Sequence, residues 1–223
     1  METARNIARR LLEIEAVKLR PAEPFTWASG LRSPIYCDNR VLLSYPDFRR
    51  EVIRAFVEQL DGAGGAVAGG KVKGNIGGVA GVATAGIPHG ALLAEALNLP
   101  FVYIRSQAKT HGRQNQIEGR LQANTNYLVV EDLISTGGSS LRAIEALRAA
   151  GGQVAAAVAI FSYEFPAAQR AFEQAEVPLL TLSGYRALLE EAVAGNYITA
   201  EEQTTLTNWR EDPRAWSERF EQQ

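Results

Sequence analysis

Apolar runs alternate with amphipathic segments through the middle of the chain. Each apolar run is short and is bounded by turn residues, which is typical of a strand buried in a parallel sheet. The four predicted strands are Val79–Ala83, Phe101–Ile104, Tyr127–Val130 and Val154–Phe161. The segments between them predict helices, and right-handed crossovers would place those helices on the faces of the sheet. The pattern therefore predicts an α/β fold with a central, mainly parallel sheet.

Two helices are predicted within this region. The first covers His89–Leu97, with Pro88 in or just before its first turn, where a missing N–H costs little. The second covers Ser139–Ala150, and the glycines that follow end it. Its predicted buried face is formed by apolar residues at helical spacing, namely Leu141, Ile144 and Leu147.

The two ends of the chain are predicted to be mainly helical. Met1–Ala16 reads as an amphipathic helix, with apolar residues at Ile7, Leu11 and Ile14. Ala167–Gln223 predicts helix, a short strand over Pro178–Leu182 and more helix, with Trp209 and Trp216 as packing residues. Asp61–Gly78 is almost entirely glycine, alanine, valine and lysine, which predicts a loop or a hairpin preceding the core.

The segment Glu131–Ser139 follows a buried strand and precedes a helix, where α/β sheets bind ligands. Its two glycines let backbone N–H groups turn inward, and its hydroxyl side chains add donors. The N-terminus of the following helix favours an anion, so the segment predicts a phosphate site. Glu131 and Asp132 would accept hydrogen bonds from sugar hydroxyls, so a ribose 5-phosphate group suits the whole segment.

Two other interpretations of glycine-rich segments remain. The serines of Glu131–Ser139 could simply cap the helix, although two adjacent acids at a sheet end also need a partner. Gly65–Lys71 has the glycine and lysine spacing of a nucleotide P-loop, but Val72 stands where a P-loop needs Ser or Thr. No strand precedes that segment and no helical pattern follows it, so we treat the match as coincidental.

Composition narrows the function classes. The chain has 223 residues, of which 46% are hydrophobic and 22% charged, with a formal net charge of -2. This balance suits a globular domain and carries no basic footprint for nucleic acid. No apolar run approaches the roughly 18 residues that cross a membrane. The single cysteine, Cys37, fits a reducing cytoplasm and is most simply a packing residue.

Four segments of the sequence resemble those of a known enzyme family. VVEDLISTGGS, from Val129 to Ser139, resembles the signature with which type I phosphoribosyltransferases bind 5-phosphoribosyl 1-pyrophosphate (PRPP). Three further segments resemble orotate phosphoribosyltransferases of the Gram-positive type. They are an orotate-side motif at Phe25–Arg40, a pyrophosphate-side loop at Ala80–Gly90 and a mobile catalytic loop at Tyr103–Gly119.

The resemblance implies a type I phosphoribosyltransferase fold and a glycosyltransferase reaction. PRPP and orotate would give orotidine 5′-monophosphate and pyrophosphate, with magnesium, in de novo pyrimidine biosynthesis. It implies a single domain over residues 1–223, with a small hood from about 1–45 plus C-terminal segments and a core of about 46–180. It also implies a homodimer whose mobile loop acts across the interface.

The resemblance also assigns roles to residues. Arg105, Lys109 and His111 would be catalytic and would neutralise the departing pyrophosphate. The residues expected to bind PRPP are these three with Glu131, Asp132, Leu133, Ile134, Ser135, Thr136, Gly137, Gly138 and Ser139. Orotate is expected to meet Ser135 and Tyr36. Gln114–Gly119 would form the return hinge of the mobile loop, and Arg113 and Arg120 are taken as solvated.

No protein-bound metal is expected, because only two histidines occur and no ligand cluster accompanies them. His89 is interpreted as structural or capping rather than catalytic. Enteric-type members carry lysines where this chain has Ala28, Ala85 and Ser106, and the Gram-positive type generally lacks them too. Gln107 stands where the Gram-positive type often has lysine, which makes Lys109 more critical to the positive charge of the loop.

Overall fold

The computed structural model describes residues 2–27, 30–62, 66–67, 70–71, 76–107 and 116–221. The α-helices are α1 (Glu2–Glu13), α2 (Pro46–Asp61), α3 (Gly86–Leu97), α4 (Gly138–Ala149), α5 (Pro166–Gln174), α6 (Tyr185–Ala194), α7 (Ala200–Glu211) and α8 (Pro213–Glu221), and Asn39–Ser44 is a 3-10 helix. The strands are β1 (Val17–Leu19), β2 (Phe25–Thr26), β3 (Arg32–Ser33), β4 (Ile35–Cys37), β5 (Ala66–Val67), β6 (Gly70–Lys71), β7 (Gly78–Val82), β8 (Phe101–Ile104), β9 (Ile117–Glu118), β10 (Asn126–Ile134), β11 (Gln153–Ser162) and β12 (Leu179–Gly184).

The chain forms two compact units. One unit combines Met1–Tyr45 with Ser183–Gln223, and the other is Pro46–Leu182. The second unit contains the central sheet, whose strand order is β12-β11-β10-β7-β8-β9. Neighbours among β7, β8, β10 and β11 pair in parallel, whereas the short β9 pairs antiparallel with β8. This α/β sheet confirms the predicted fold class.

Burial on both faces explains why the strands read as continuous apolar runs. Every residue of β7 is buried, and Leu128 to Val130 of β10 are 0% exposed. The prediction for Phe101–Ile104 is confirmed residue for residue. The predicted ends of the next two strands were wrong, because β10 and β11 continue to pair as far as Ile134 and Ser162.

The buried face of α4 differs from the predicted one. Its buried residues are Ser140, Ala143, Ile144 and Leu147, whereas Leu141 is only half-buried. Ile144 and Leu147 lie on the buried face as predicted, but Ser140 and Ala143 complete it in place of Leu141. A serine therefore replaces a leucine at the start of the inward face, next to the end of β10.

Within the first unit, α1 packs against α6. Glu191 is 6% exposed and accepts hydrogen bonds from Arg5 at 2.6 Å and Arg9 at 3.1 Å. The helix ends at Glu13, because Glu15 adopts a left-handed φ of 55°, so the prediction of helix to Ala16 was too long. Trp209 and Trp216 are 0% and 8% exposed, which confirms them as packing residues.

The glycine-rich segment contains an antiparallel hairpin, with Ala66 opposite Lys71 and Val67 opposite Gly70. This agrees with the predicted hairpin. A P-loop lysine lies where a helix begins, whereas Lys71 lies in a strand, so the geometry contradicts a P-loop here. Among the described residues, no helix is both long and apolar enough to cross a membrane.

Candidate active site

The candidate phosphate site is the connection between β10 and α4. Because β10 continues to Ile134, the connection itself is only Ser135–Gly137, and α4 begins at Gly138. The prediction that Glu131 to Ile134 belong to a loop was wrong, since all four lie in the strand. Ile134 is 1% exposed, and its carbonyl accepts a hydrogen bond from the Tyr163 N–H at 2.9 Å, so it offers a ligand little surface.

The start of α4 has the properties of an anion site. Its N-cap is Gly137, at φ 81°, and no side chain caps the helix. The interpretation that the serines cap this helix is therefore wrong. Helix N-terminal N–H groups carry partial positive charge, which favours a phosphate oxygen. Thr136 and Ser139 are exposed beside them, and Ser135 is half-exposed.

Gly137 is required by its surroundings as well as by its backbone conformation. A Cβ at this position would lie 2.9 Å from Cε2 of Phe172 in α5 and 3.9 Å from Cβ of Ala168. The aromatic ring thus supports the turn from behind and fixes its backbone. A side chain on Gly137 would push the turn towards the space in which the anion would lie.

Glu131 and Asp132 occupy different environments, although the sequence suggested equivalent roles. Glu131 is 7% exposed, whereas Asp132 is half-exposed. The Glu131 Oε1 accepts a hydrogen bond from the Asp132 N–H at 3.1 Å, and its Oε2 accepts one from Ser140 Oγ at 3.2 Å. Burial, reinforced by the Asp132 charge, raises the pKa of Glu131 to about 9. This carboxyl therefore keeps its proton to a higher pH than an exposed glutamate does.

A second loop lies at the same edge of the sheet. It connects β7 to α3, and β7 pairs in parallel with β10, so their carboxyl ends are adjacent. Ala83 N–H donates to the Ile104 carbonyl at 2.8 Å, and the Ala83–Thr84 peptide is cis. This is the segment that resembles the pyrophosphate-side loop, and α3 begins in it at Gly86 rather than at the predicted His89.

Arg105 follows β8 at this edge and is held by the facing strand. Its backbone N–H donates to the Gln116 carbonyl at 2.9 Å, and the Gln116 side chain donates to the Arg105 carbonyl at 2.8 Å. One guanidinium nitrogen lies 3.8 Å from the Glu118 carboxylate, too far for a good hydrogen bond. Within the predicted hinge at Gln114–Gly119, Ile117–Glu118 forms β9, and Gln114 and Asn115 lie outside the described residues.

Two of the expected catalytic residues, Lys109 and His111, lie outside the described residues, and their roles stay predictions. Tyr36 belongs to the other unit, where it is 41% exposed and its ring centroid lies 5.7 Å from that of Phe25. Nearby, Arg40 donates to both carboxylate oxygens of Asp38, at 2.6 and 2.8 Å. Those hydrogen bonds hold the pKa of Asp38 below its usual range.

His89 lies in the first turns of α3 and is 0% exposed. Neither ring nitrogen has a hydrogen-bond partner among the described residues. Burial, with a smaller contribution from the charge of Arg49, lowers the pKa of His89 to about 4. The ring does not cap α3, whose N-cap Ala85 makes no side-chain hydrogen bond. A neutral packing residue is the role that fits.

The sequence analysis missed Ser140 and Gly86. Ser140 lies one residue beyond the recognised signature, and helical spacing from Ala143, Ile144 and Leu147 would have placed it on the inward face. Gly86 had no comparable local signal, because its importance lies in a close approach to another strand. Among the described residues, no group of three or more His, Cys, Asp or Glu side chains could hold a metal ion.

A mainly parallel sheet with a phosphate loop, a buried acid and an adjacent loop at one edge defines the class: a phosphoribosyltransferase. A family model described as "Phosphoribosyl transferase domain" matches residues 57–176. Orotate phosphoribosyltransferase of Bacteroides thetaiotaomicron is 50% identical over 216 residues, covering 95% of this chain and 96% of that protein. The Streptococcus agalactiae enzyme of the same name is 49% identical over 216 residues, covering 97% and 99%.

A solved structure agrees with these relatives. The crystal structure of orotate phosphoribosyltransferase from Aeropyrum pernix has a TM-score of 0.71 and 31% identity, covering 85% of this chain and 99% of that one. The chain belongs to the orotate phosphoribosyltransferase family. The resemblance inferred from the motifs is thereby confirmed.

Proposed function

We propose that this protein transfers the ribose 5-phosphate group of PRPP to orotate, giving orotidine 5′-monophosphate and pyrophosphate in de novo pyrimidine biosynthesis. The observation that carries the proposal is the anion site at Ser135–Gly137 in a chain half identical to named orotate phosphoribosyltransferases over nearly its full length. A single cysteine fits a cytoplasmic enzyme of this kind.

The 5′-phosphate binds at the start of α4. Backbone N–H groups of the first turn and the hydroxyls of Ser135, Thr136 and Ser139 donate to its oxygens. The ribose hydroxyls point back along the end of β10, towards Glu131 and Asp132. This arrangement places the hydrogen-bond donors of the site on the phosphate and the acidic residues on the sugar.

The reaction exchanges one bond at the ribose C1 carbon for another. The bond from C1 to the pyrophosphate oxygen breaks, and a bond from C1 to the pyrimidine nitrogen forms, so no protein nucleophile is needed. Negative charge accumulates on the departing pyrophosphate, and Arg105, Lys109 and His111 stabilise it. The loop that carries them excludes water from the reactive centre when it covers the substrates.

Orotate meets Ser135 and the motif containing Tyr36. Tyr36 offers an exposed aromatic face and a hydroxyl, either of which suits a planar pyrimidine. Ser135 lies at the start of the phosphate turn, where a base attached to the same ribose would also come close.

Magnesium would be held mainly by oxygens of the pyrophosphate, and there it would neutralise charge on the leaving group. Small hard cations are held well by phosphate oxygens and water together with one or two carboxylates. Asp132 is the half-exposed carboxylate next to the phosphate turn, and it would be the protein group nearest to such an ion. Glu131 is less suited, because it is buried and both of its oxygens already accept hydrogen bonds.

A homodimer completes the proposal, and α2 and α3 offer a surface for it. A groove of about 570 Å³ between them is lined by Ile53, Val57, Leu92 and Ala96. Its polar lining consists of arginines, namely Arg49, Arg50 and Arg54. We assign this groove to a second copy of the chain, because α3 also packs on β8, from whose end the catalytic loop leaves. A copy seated there would lie within reach of that loop.

Two measurements test the function and the assembly. Purified protein with orotate, PRPP and magnesium should consume orotate, followed by its absorbance. Turnover of adenine, guanine or uracil in place of orotate would contradict the assignment. Ile53→Glu should shift sedimentation from dimer to monomer and lower turnover, whereas exposed Glu145→Gln on α4 should leave the dimer intact. A persistent dimer in Ile53→Glu would place the interface elsewhere.

A further inference from the structure

We propose that Ser140 is a positioning residue that fixes the Glu131 carboxyl for the ribose hydroxyls of the bound sugar phosphate. This inference rests on the proposed function of the phosphate loop and adds a residue to it. Ser140 lies just beyond Ser139, the last residue of the recognised signature. Three features support this role: Ser140 is buried, its hydroxyl donates to Glu131, and Glu131 is too buried for water to replace that hydroxyl.

Burial separates Ser140 from its neighbour. Ser139 is exposed, whereas Ser140 is 1% exposed and faces the end of β10. Its Oγ lies 3.2 Å from Oε2 of Glu131 and donates to it. The two residues are nine apart in sequence and lie on different elements, so the contact depends on α4 packing against the strand.

The carboxyl of Glu131 is held at both oxygens by different donors. The Asp132 N–H occupies Oε1 at 3.1 Å, and Ser140 occupies Oε2. A carboxyl held by two separate donors cannot rotate freely about its χ3, whereas one donor leaves that rotation open. Because Glu131 is only 7% exposed, bulk water cannot readily replace a lost hydroxyl.

Ser140 also favours the form of Glu131 that accepts hydrogen bonds. A donor to a carboxylate stabilises its ionised state, which opposes the effect of burial. A ribose hydroxyl needs an acceptor, so losing Ser140 disfavours sugar binding in two ways. Ser140 is also the third residue of α4, whose first turn holds the phosphate, so one helix turn serves both halves of the ligand.

Binding of ribose 5-phosphate and of inorganic phosphate, measured by calorimetry, separates this role from general damage to the loop. For Ser140→Ala, we expect the Kd for ribose 5-phosphate to rise about 10-fold, the loss typical of leaving one buried hydrogen-bonding group without its partner. The Kd for inorganic phosphate should stay unchanged, because phosphate does not reach Glu131. Ser140→Thr keeps the hydroxyl and should restore sugar-phosphate affinity.

The control is Ser183→Ala. Ser183 is 2% exposed and donates to the Ala4 carbonyl at 2.7 Å, so this variant also loses a buried serine hydrogen bond. Both dissociation constants should match the wild type. Ser140→Cys, nearly isosteric but a weak donor, gives the same test if the alanine variant does not fold.

Equal weakening of both ligands by Ser140→Ala, or no weakening of ribose 5-phosphate, overturns the proposal. Neither ligand contains a base, so the result does not depend on orotate turnover. If the wild type binds ribose 5-phosphate but does not consume orotate, the proposed reaction fails while Ser140 can still be judged. If the wild type consumes orotate but Ser140→Ala binds ribose 5-phosphate as tightly as the wild type does, the proposed function stands and the role of Ser140 fails.

Discussion

Gly86 packs so closely against Val130 that a methyl group on the glycine would overlap the valine carbonyl oxygen. The same methyl would lie 3.3 Å from the Cα of Glu131. The start of α3 therefore rests directly on the strand that carries the proposed ribose-binding acids. Two segments of the site, the pyrophosphate-side loop and the end of β10, are placed relative to each other through this contact.

Gly86→Ala should disturb both segments together. Because the clash is with backbone, it cannot be relieved by rotating a side chain, and we expect a loss of about 1–3 kcal/mol in the free energy of unfolding. PRPP affinity should fall as well, measured by calorimetry. Gly138→Ala is the control for stability, since its Cβ would make ordinary contacts with two side chains, Arg142 at 3.4 Å and Thr136 at 3.9 Å, and none with backbone. Equal stability of the two variants would contradict the close-packing argument.

The sequence predicted this fold well where one local pattern was sufficient. Phe101–Ile104 alternates between half-buried and buried residues, and it was recognised from its apolar run alone. The end of β10 was missed because Glu131 and Asp132 look like loop residues, although the strand is extended there by pairing with β11. Pairing with another strand is a non-local property, and local polarity was a poor guide to it.

The same distinction between local patterns and non-local contacts applies to the candidate site. The order of small and hydroxyl residues in Ser135–Ser139 was enough to predict an anion-binding turn. The sequence did not show that Glu131 is buried and Asp132 is half-exposed, because that difference arises from α3 and α4 packing on β10. Ser140 was missed for a related reason, since its direction depends on which face of α4 meets the sheet.

The raised pKa of Glu131 predicts a stability that falls with rising pH. Its pKa is about 9 in the folded protein and ordinarily 4.5, so between these values the folded state holds a proton that the unfolded chain has lost. Unfolding free energy should therefore decrease by up to about 1.4 kcal/mol per pH unit on account of this group. Glu131→Gln, which is permanently neutral, should remove that slope in urea unfolding between pH 6 and 8.

The exposed Glu145→Gln is the matched carboxylate control for this experiment. The quantity to compare is the difference between the pH slopes of the two variants. Glu131→Gln should also bind ribose 5-phosphate more weakly than the wild type, because its amide has only one acceptor oxygen and cannot ionise when the sugar binds. Identical slopes in the two variants would show that Glu131 is ionised in the folded protein at neutral pH.

The lowered pKa of His89 predicts a pH dependence of stability opposite to that of Glu131. Burial lowers the pKa of His89 from 6.5 to about 4, so between these pH values the unfolded chain binds a proton that the folded state does not bind. Stability should therefore fall as the pH falls through this range. His89→Leu, of similar volume and without polar atoms, should be more stable than the wild type at pH 5 and closer to it at pH 7.5. Loss of turnover in a folded His89→Leu would contradict a packing role.

Lys109→Ala tests the catalytic loop. If Lys109 stabilises the charge on departing pyrophosphate, turnover should fall by roughly 10²–10³-fold, the usual effect of removing one such group. Because Gln107 supplies no charge nearby, other loop residues should compensate poorly. Arg120→Ala removes an exposed positive charge just beyond the loop and should leave turnover near the wild-type value. The midpoint of thermal unfolding should be the same in both variants, and unchanged turnover in Lys109→Ala would refute the role.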